Sequence, residues 1–274
     1  MTNQRVTSTG FYPFTRGMLF LAAQRSDIKL HAVVILPPFA EEMNKCRHLI
    51  SNVMRQLAAA GVSSFLLDNY GTGDSECDLD TATLQLWRED LTALINDISL
   101  QGYSDISFVA IRFGALQLFD LLNNAQLPLP VAKVVLWQPY FDIAKFWQQF
   151  VRIKVAEAMA LGEKTSQKQL EQQLNEGHLL EIAGYPVSPA FYHSLLSANT
   201  TFPPMLKAKP MCWLETSQLD NIAVPVEKMR QQLSEQCTLS FEQIKDEPYW
   251  QTTELAEAQA LISHTLAYLT AQVQ

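Results

Sequence analysis

The amino-acid sequence predicts an α/β fold in which helices flank a mostly parallel central sheet. The chain has 274 residues, of which 48% are hydrophobic, so it is long enough to bury a large core in one domain. Short runs rich in β-branched and aromatic residues alternate along the chain with longer segments of helical periodicity. Such alternation is typical of parallel strands that are joined by crossover helices.

Seven strands are predicted from short apolar runs bounded by turn residues. They span residues 17–24, 30–38, 63–69, 105–112, 133–139, 210–216 and 237–244. Apolar residues at helical spacing predict the helices that connect these strands. The clearest helices span residues 42–60, 83–100, 114–124, 224–235 and 252–271.

The alternation stops once, between Gln138 and Lys209. This stretch contains helical segments and loop-like sequence but no clear strand, and it is longer than a crossover needs. We therefore interpret residues 139–208 as a helical cap inserted over the carboxyl ends of the strands. Residues 1–138 and 209–274 are then the two parts of the core.

Charge and hydropathy argue against two classes of partner. The net charge is −8 and the pI is near 5.1, which does not suit binding to nucleic acid or to an anionic membrane. No window approaches the ~18 apolar residues of a membrane span. The first residues also lack the basic and apolar regions of a signal peptide. A cytoplasmic location without a membrane span is therefore expected.

Neither a metal nor a cofactor is expected from the motifs. The cysteines are far apart in the chain, with no C-x-x-C and no nearby histidine pair to complete a zinc site. They are Cys46, Cys77, Cys212 and Cys237. No G-x-G-x-x-G opens a helix after a predicted strand, so a dinucleotide site is also not expected.

Two charged or glycine-rich segments follow predicted strands. LPPFAEEMNKCRH (36–48) places Glu41 and Glu42 at the start of a helix, where they either stabilise the helix dipole or contribute to a site. LLDNYGTGDSE (66–76) is a strand end followed by a glycine turn. Because the carboxyl ends of parallel strands meet at one edge of a sheet, both segments are expected beside a ligand cleft.

A third segment, Ala110-Ile111-Arg112-Phe113-Gly114, corresponds by strand and helix context to the G-x-S-x-G nucleophile elbow of α/β hydrolases. The elbow raises its apex side chain above the sheet, and the amide of the next residue, Phe113, is one donor of the oxyanion hole. Here the apex is Arg112 instead of serine. A guanidinium stays protonated, with a pKa above ~12, so it cannot attack a carbonyl.

The other members of a serine triad are also incomplete. A histidine is needed in the loop after the last strand, but that loop, residues 245–254, contains none. The five histidines fall on other predicted elements, namely His31, His48, His178, His193 and His264. The end of the strand at residues 210–216 and the loop after it offer Glu215 and Asp220 as the triad acid. An acid alone has no role in triad catalysis.

The sequence resembles the exosortase A system-associated hydrolases of type 2, a branch of the α/β-hydrolase superfamily. The resemblance rests on LPPFAEEMNK, GTGDS, IRFGA, VVLWQPYFD and PYWQT, which lie between residues 30 and 255. It implies an α/β-hydrolase fold, an arginine at the elbow as a shared trait, and a role in bacterial exopolysaccharide production and envelope sorting. The name of this family describes a fold, and activity does not follow from it.

Arg112 needs a partner, because a buried unpaired charge costs several kcal/mol. One interpretation is a ligand carboxylate or phosphate at the helix start. The other is an internal ion pair with one of five acids, of which Glu41 or Glu247 is expected; the five are Glu41, Glu42, Glu215, Asp220 and Glu247. The residues that we predict to line the binding cleft are Phe39, Glu41, Glu42, Arg112, Phe113, Asp220 and Trp250.

Three hypotheses about function remain open. The first is a hydrolase-fold protein that binds a small anionic or acyl ligand, or a partner, without triad catalysis. The second is an atypical hydrolase or acyl-transfer enzyme that acts on an ester, thioester or glycan, with Glu41, Glu247 or Glu215 as the acid or base. Ser75 and Cys46 are weaker nucleophile candidates, because one lies in a glycine turn and the other on a helix.

The third hypothesis concerns the aromatic residues in and before the cap. They either belong to the core or form a surface for a protein partner or a homodimer. They are Trp137, Tyr140, Phe141, Phe146, Trp147 and Phe150.

Overall fold

A computed structural model describes residues 8–252 and 254–271 of the chain. The strands in these residues are β1 Gly10–Pro13, β2 Met18–Gln24, β3 His31–Leu36, β4 Ser63–Leu67, β5 Asp105–Ile111, β6 Val131–Trp137, β7 Leu180–Ile182, β8 Tyr185–Val187, β9 Pro210–Thr216 and β10 Thr238–Ile244. The α-helices are α1 Glu41–Ala59, α2 Leu84–Leu100, α3 Gly114–Asn124, α4 Ile143–Ala160, α5 Gln167–Asn175, α6 Pro189–Leu196, α7 Val224–Ser234 and α8 Gln259–Thr270.

Eight strands form one sheet in the order β1-β2-β4-β3-β5-β6-β9-β10. The pairs β1 with β2 and β2 with β4 are antiparallel, and the pairs from β4 to β10 are parallel. The predicted α/β class, with a mostly parallel sheet flanked by helices, is confirmed. The strand order reverses at β3, which has β4 on one side and β5 on the other. In open α/β sheets ligands bind at such a reversal, outside the carboxyl ends of the strands.

Apolar layers cover both faces of the sheet. On one face, α1 and α8 bury residues such as Leu49, Val53 and Ile262. On the other face, α2 and α3 bury Trp87 and Leu118 together with residues of the cap. The strands β3, β4 and β5 are buried along almost their whole length, which explains why each is a nearly continuous apolar run in the sequence.

Two differences from the predicted elements lie at the ends of the chain. β1 was not predicted, because four residues ending in Pro13 are too few to show a strand periodicity. The predicted helix 252–271 was too long, since α8 begins only at Gln259. Leu255, inside the predicted helix, is 70% exposed and precedes a left-handed backbone conformation at Ala258.

The insertion between β6 and β9 is not entirely helical. It contains α4, α5 and α6, but also a hairpin in which Leu180 pairs with Val187 and Ile182 pairs with Tyr185. The expectation that this stretch has no strand was therefore wrong. Ala183 and Gly184, at the turn, both have positive φ, of 52° and 80°, as a two-residue hairpin turn requires. Three-residue strands and an alanine at that turn leave little signal in the sequence.

Candidate functional site

The predicted elbow is present at the end of β5. Arg112 lies between β5 and α3 with φ of 54°, a left-handed conformation that is uncommon for a residue with a side chain. Its amide donates to the carbonyl of Trp137 at 2.9 Å, which ties the turn to the neighbouring strand β6. Gly114 is required by close approach, because a Cβ there would lie 2.2 Å from the carbonyl oxygen of Leu36. The backbone geometry of an elbow is thus retained around an arginine.

The guanidinium of Arg112 is enclosed by protein groups. Its Nη2 donates to Glu42 Oε1 at 2.8 Å, and its Nε donates to Glu42 Oε2 at 3.1 Å. Nη1 donates to the carbonyl of Gln138 at 3.2 Å, and Nη2 also donates to the Tyr140 hydroxyl at 2.5 Å. Cζ lies 4.3 Å from the ring centroid of Tyr140 and 4.4 Å from that of Trp250, so aromatic faces contribute cation–π contacts.

These contacts balance the cost of burying the charge. Arg112 is only 6% exposed. Burial alone would lower the pKa of Arg112, but the Glu42 carboxylate and its hydrogen bonds raise it above the ordinary value. The elbow therefore carries a permanent cation that is neutralised internally.

The ion-pair partner is Glu42, and the expectation of Glu41 or Glu247 was wrong. Successive residues of a helix point about 100° apart, so Glu41 and Glu42 at the start of α1 cannot both face the elbow. Glu41 is exposed and accepts a hydrogen bond from Asn44. Glu247 is also exposed and lines a separate surface pocket of about 710 Å³ formed by residues 246–247, 251–252 and 254–260.

A second carboxylate joins the site through Gln138. Glu215, at the end of β9, is 9% exposed and accepts hydrogen bonds from Gln138 Nε2 at 2.6 Å and from Trp213 Nε1 at 2.8 Å. Burial raises the pKa of Glu215 to about 7, against a smaller lowering by these donors and by Arg112. The carbonyl of Gln138 accepts from Arg112 while its side chain contacts Glu215, so one residue links the two groups.

Asp220, the other acid predicted for this edge, lies away from the site. Its carboxylate accepts from Lys245 Nζ at 2.7 Å, and both side chains are largely exposed. The prediction that Asp220 lines the binding cleft is not supported by these contacts, because the residue lies on a loop that turns outward after β9. Glu215 is the acid that the strand end directs towards Arg112.

The usual nucleophile and base are not found around Arg112 in the described residues. All five histidines lie in the described part of the chain, and none of them lines a cavity next to Arg112 or Glu42. Ser75 has a structural role, since its hydroxyl donates to the carbonyl of Asp68 at 2.6 Å and accepts from the amide of Phe20. Burial raises the pKa of the Cys46 thiol well above its ordinary value, so it is not a reactive thiolate.

Aromatic rings seal the site towards the cap. The ring centroid of Phe39 is 5.4 Å from that of Phe113 and 5.0 Å from that of Phe150, and Phe113 is 4.6 Å from Phe146. Phe39 and Phe113, both predicted as cleft residues, therefore use their rings to hold the cap. In the aromatic run proposed as core or partner surface, four residues are buried and two are half-buried: Trp137, Phe146, Trp147 and Phe150 against Tyr140 and Phe141.

Arg112 and its hydrogen-bond partners Glu42, Gln138 and Tyr140 form a group that we call the Arg112 cluster. Two openings lie next to this cluster, and Tyr140 lines both. The smaller, of about 240 Å³, contains Arg112, Gln138, Glu215 and Lys145 in its wall. The larger opening, which we call the wide cleft, measures about 590 Å³. Its wall is formed by Phe39, Glu42, Lys45, Tyr140, Phe146, Gln149, Phe150, Arg152, Ile153, Trp250 and Gln251.

Two members of the site were not among the predicted residues. Gln138 and Tyr140 follow β6, where VVLWQPYFD ends a buried strand in the same way as the three segments that were selected. Position after a parallel strand was the signal that could have identified them. Trp250 was predicted, and its ring does face the guanidinium.

Known structures share this architecture across almost the whole chain. Est1E from Butyrivibrio proteoclasticus, solved with ferulic acid, has a TM-score of 0.64 and 12% identity over 95% of this chain and 97% of its own. An esterase from Exiguobacterium antarcticum has a TM-score of 0.60 and 12% identity over 97% and 100%. An α/β serine hydrolase homologue from Coxiella burnetii has a TM-score of 0.54 and 14% identity over 96% and 99%.

The chain has the α/β-hydrolase fold. At 12–14% identity these likenesses establish the architecture and not the activity. No protein-family model and no curated protein sequence matches the chain. The narrower assignment to the exosortase-associated branch therefore remains a resemblance.

Two further observations concern metal ions and membranes. No three His, Cys, Asp or Glu side chains within them lie close enough together to hold a metal ion. In the same part of the chain, every helix is too short or too polar to cross a bilayer.

Proposed function

We propose that this chain is an α/β-hydrolase-fold protein that binds a small ligand beside Arg112 and does not cleave esters through a serine nucleophile. One observation carries the proposal: the nucleophile position holds a buried guanidinium paired with Glu42. A guanidinium has no lone pair available for attack at any physiological pH. The lining of both openings next to it, among the described residues, includes no serine, cysteine or histidine.

The ion pair also shapes what can bind. Because Glu42 engages Nε and Nη2 of the guanidinium, an anion that took over this bidentate contact would have to displace Glu42. Removing one partner of a buried pair costs about 3–5 kcal/mol, so such displacement is unfavourable. The ligand is therefore expected to contact the walls around the cluster and to leave the ion pair intact.

The first test is covalent labelling. The purified protein is incubated with a fluorophosphonate and with p-nitrophenyl esters from acetate to octanoate, and a serine esterase serves as the reagent control. We expect no mass adduct and no ester turnover above that of the heat-denatured protein. A fluorophosphonate adduct on a residue in either opening, or turnover with a burst of p-nitrophenol, would refute the proposal.

Glu215 supports a second candidate function, an enzyme that uses general acid–base catalysis. A carboxyl with a pKa of about 7 exchanges protons readily near neutral pH, and it lines the same opening as Arg112. In this scheme Glu215 takes a proton from a water molecule that attacks an ester or thioester carbonyl, and the proton passes to the leaving group. Glu41 and Glu247 have less support as the base, since both are exposed and neither lines this opening.

The two candidates are separated by matched variants. If the protein is an enzyme of this second kind, Glu215→Gln abolishes turnover of esters or thioesters and Glu41→Gln does not. If the protein is a binding protein, neither variant changes a background rate. The comparison uses a full pH profile, because a base with a pKa of about 7 gives a rate that rises through neutral pH.

The resemblance to exosortase-associated hydrolases supports a proposed place in exopolysaccharide and envelope production. A cytoplasmic location and a protein partner or homodimer are parts of the same proposal. Because the aromatic cap residues pack inward, a dimer would have to use another surface. Deletion in a bacterium that carries this chain should lower exopolysaccharide yield, and sizing at two concentrations tests the oligomer. Unchanged yield would contradict the assignment.

A further inference from the structure

We propose that the wide cleft binds an amphipathic carboxylate, with the tail against its aromatic wall and the anionic head beside Lys45 and Arg152. This inference rests on the proposed function and specifies its ligand class. It uses the shape of the cleft, the composition of its wall and the balance of charges around it.

The size and wall of the cleft suit an apolar body. Its volume of about 590 Å³ is within the range of about 300–1,000 Å³ that is typical of small-molecule sites. Six of its eleven lining residues are apolar or aromatic, and they form one part of the wall beside the polar ones: Phe39, Tyr140, Phe146, Phe150, Ile153 and Trp250. Such a wall binds alkyl or aryl groups by removing their apolar surface from water.

The charges around the cleft leave a positive excess. Glu42 is the acidic residue in the lining, and its carboxylate is already paired with Arg112. Lys45 Nζ donates to the carbonyl oxygens of Gln251 at 3.4 Å and Thr252 at 2.9 Å, contacts that fix the ammonium without neutralising it. Arg152 is exposed and forms no ion pair with any residue that the structure describes.

This excess selects among ligands. A cationic ligand would meet two uncompensated cations, since Glu42 is occupied. A neutral apolar ligand would pack against the apolar part of the wall but leave both positive charges uncompensated. A small anion without an apolar body would pair with the cations but leave the apolar part of the wall in contact with water. A carboxylate with an alkyl or aryl tail satisfies both features. The negative charges elsewhere on the protein are largely screened beyond about 8–10 Å, so they do not cancel the attraction of the two nearby cations for the head group.

The experiment compares three ligands that share one tail. Octanoate, octan-1-ol and octylammonium are titrated into the full chain by isothermal calorimetry at low salt. We expect octanoate to bind at least about fivefold more tightly than octan-1-ol, the ratio given by one partly exposed ion pair. Octylammonium should bind least tightly, and added salt should weaken octanoate alone.

Two variants on α4 locate the head group. Arg152→Gln removes the unpaired cation of the cleft and should weaken octanoate about fivefold while leaving octan-1-ol unchanged. Lys154→Gln is the matched control, since Lys154 is paired with Glu157 and does not line the cleft. Arg152 is exposed and Lys154 is half-buried, so both variants should fold.

Each outcome decides the inference. Equal or tighter binding of octan-1-ol or octylammonium overturns it, as does octanoate binding that is unaffected by Arg152→Gln. No measurable binding of any of the three also overturns it. None of these results touches the proposed function, which is judged by the fluorophosphonate adduct and ester turnover described above.

Discussion

Two carboxylates lie near Arg112, and they differ in their burial and in their hydrogen-bond partners. Glu42 contacts the guanidinium directly with both oxygens, and its side chain is 24% exposed. Glu215 is more deeply buried at 9% exposure, and its oxygens are held by the neutral donors of Gln138 and Trp213. Both lie at the carboxyl edge of the parallel strands, Glu42 on the helix that follows β3 and Glu215 near the end of β9.

The difference shows that a nearby cation is not equivalent to a contacting one. Arg112 lowers the pKa of Glu215, but burial outweighs it and leaves the value at about 7. Glu42 gains two charge-assisted hydrogen bonds, which are roughly twice as strong as neutral ones. The surroundings of Arg112 thus contain one fixed ion pair, with Glu42, and one carboxyl, Glu215, whose raised pKa is about 7. The following predictions test each half of this comparison.

The largest effect is expected from Glu42→Gln, which leaves a buried guanidinium without its counter-charge. We expect the free energy of unfolding to fall by about 3 kcal/mol at pH 7, measured by urea denaturation. Glu41→Gln is the control on the adjacent, exposed position and should change stability by less than about 0.5 kcal/mol. Equal effects of the two variants would mean that Glu42 is not the compensating partner.

A somewhat smaller effect, dependent on pH, is expected at Glu215. Its pKa is raised in the folded protein from 4.5 to about 7, so the folded state binds more protons than the unfolded state between these values. Stability from this group is therefore present at low pH and is lost as the pH rises from about 4.5 to 7. Wild type should lose about 2–3 kcal/mol relative to Glu215→Gln between pH 5 and pH 8.

Asp220→Asn is the control for this pH dependence. Its carboxylate is exposed and paired with Lys245, so the difference from wild type should stay within about 0.5 kcal/mol across the same range. A curve for Glu215→Gln parallel to that of wild type would show that Glu215 titrates outside this window.

The elbow could be predicted from sequence, while its charge partner could not. A buried strand, an apex residue, a glycine and a helix start are local features, and Gly114 is fixed by contact with Leu36. The choice of Glu42 over Glu41 depends on the rotation of α1, which begins after an unusual backbone conformation with a positive φ at Ala40. That conformation leaves no mark in the sequence. The link between Gln138 and Glu215 is not visible in the sequence either, because β6 and β9 are neighbours in the sheet but are separated along the chain by the insertion.

The smallest effect is expected at Tyr140, which forms a hydrogen bond with Arg112 of the ion pair but none with Glu215 among the residues described. Tyr140→Phe removes the hydroxyl that accepts from Nη2 but keeps a ring 4.3 Å from the guanidinium carbon. The hydroxyl also donates to Gln149 Oε1, but that bond is exposed to water and contributes little. The loss should be about 1 kcal/mol, the net value of the hydrogen bond with Arg112. Tyr140→Leu removes the ring as well and should cost about a further 1 kcal/mol from the lost cation–π contact.

The pH dependence separates this effect from that of Glu215. Because Tyr140 forms no hydrogen bond with Glu215 among the residues described, Tyr140→Phe should lower stability by the same amount at pH 5 and at pH 8. A loss confined to high pH would mean that the hydroxyl acts through Glu215, and the two carboxylates would then form one titrating network instead of two independent sites. Equal losses of stability at both pH values would show that the Arg112–Glu42 ion pair and the Glu215 carboxyl are independent.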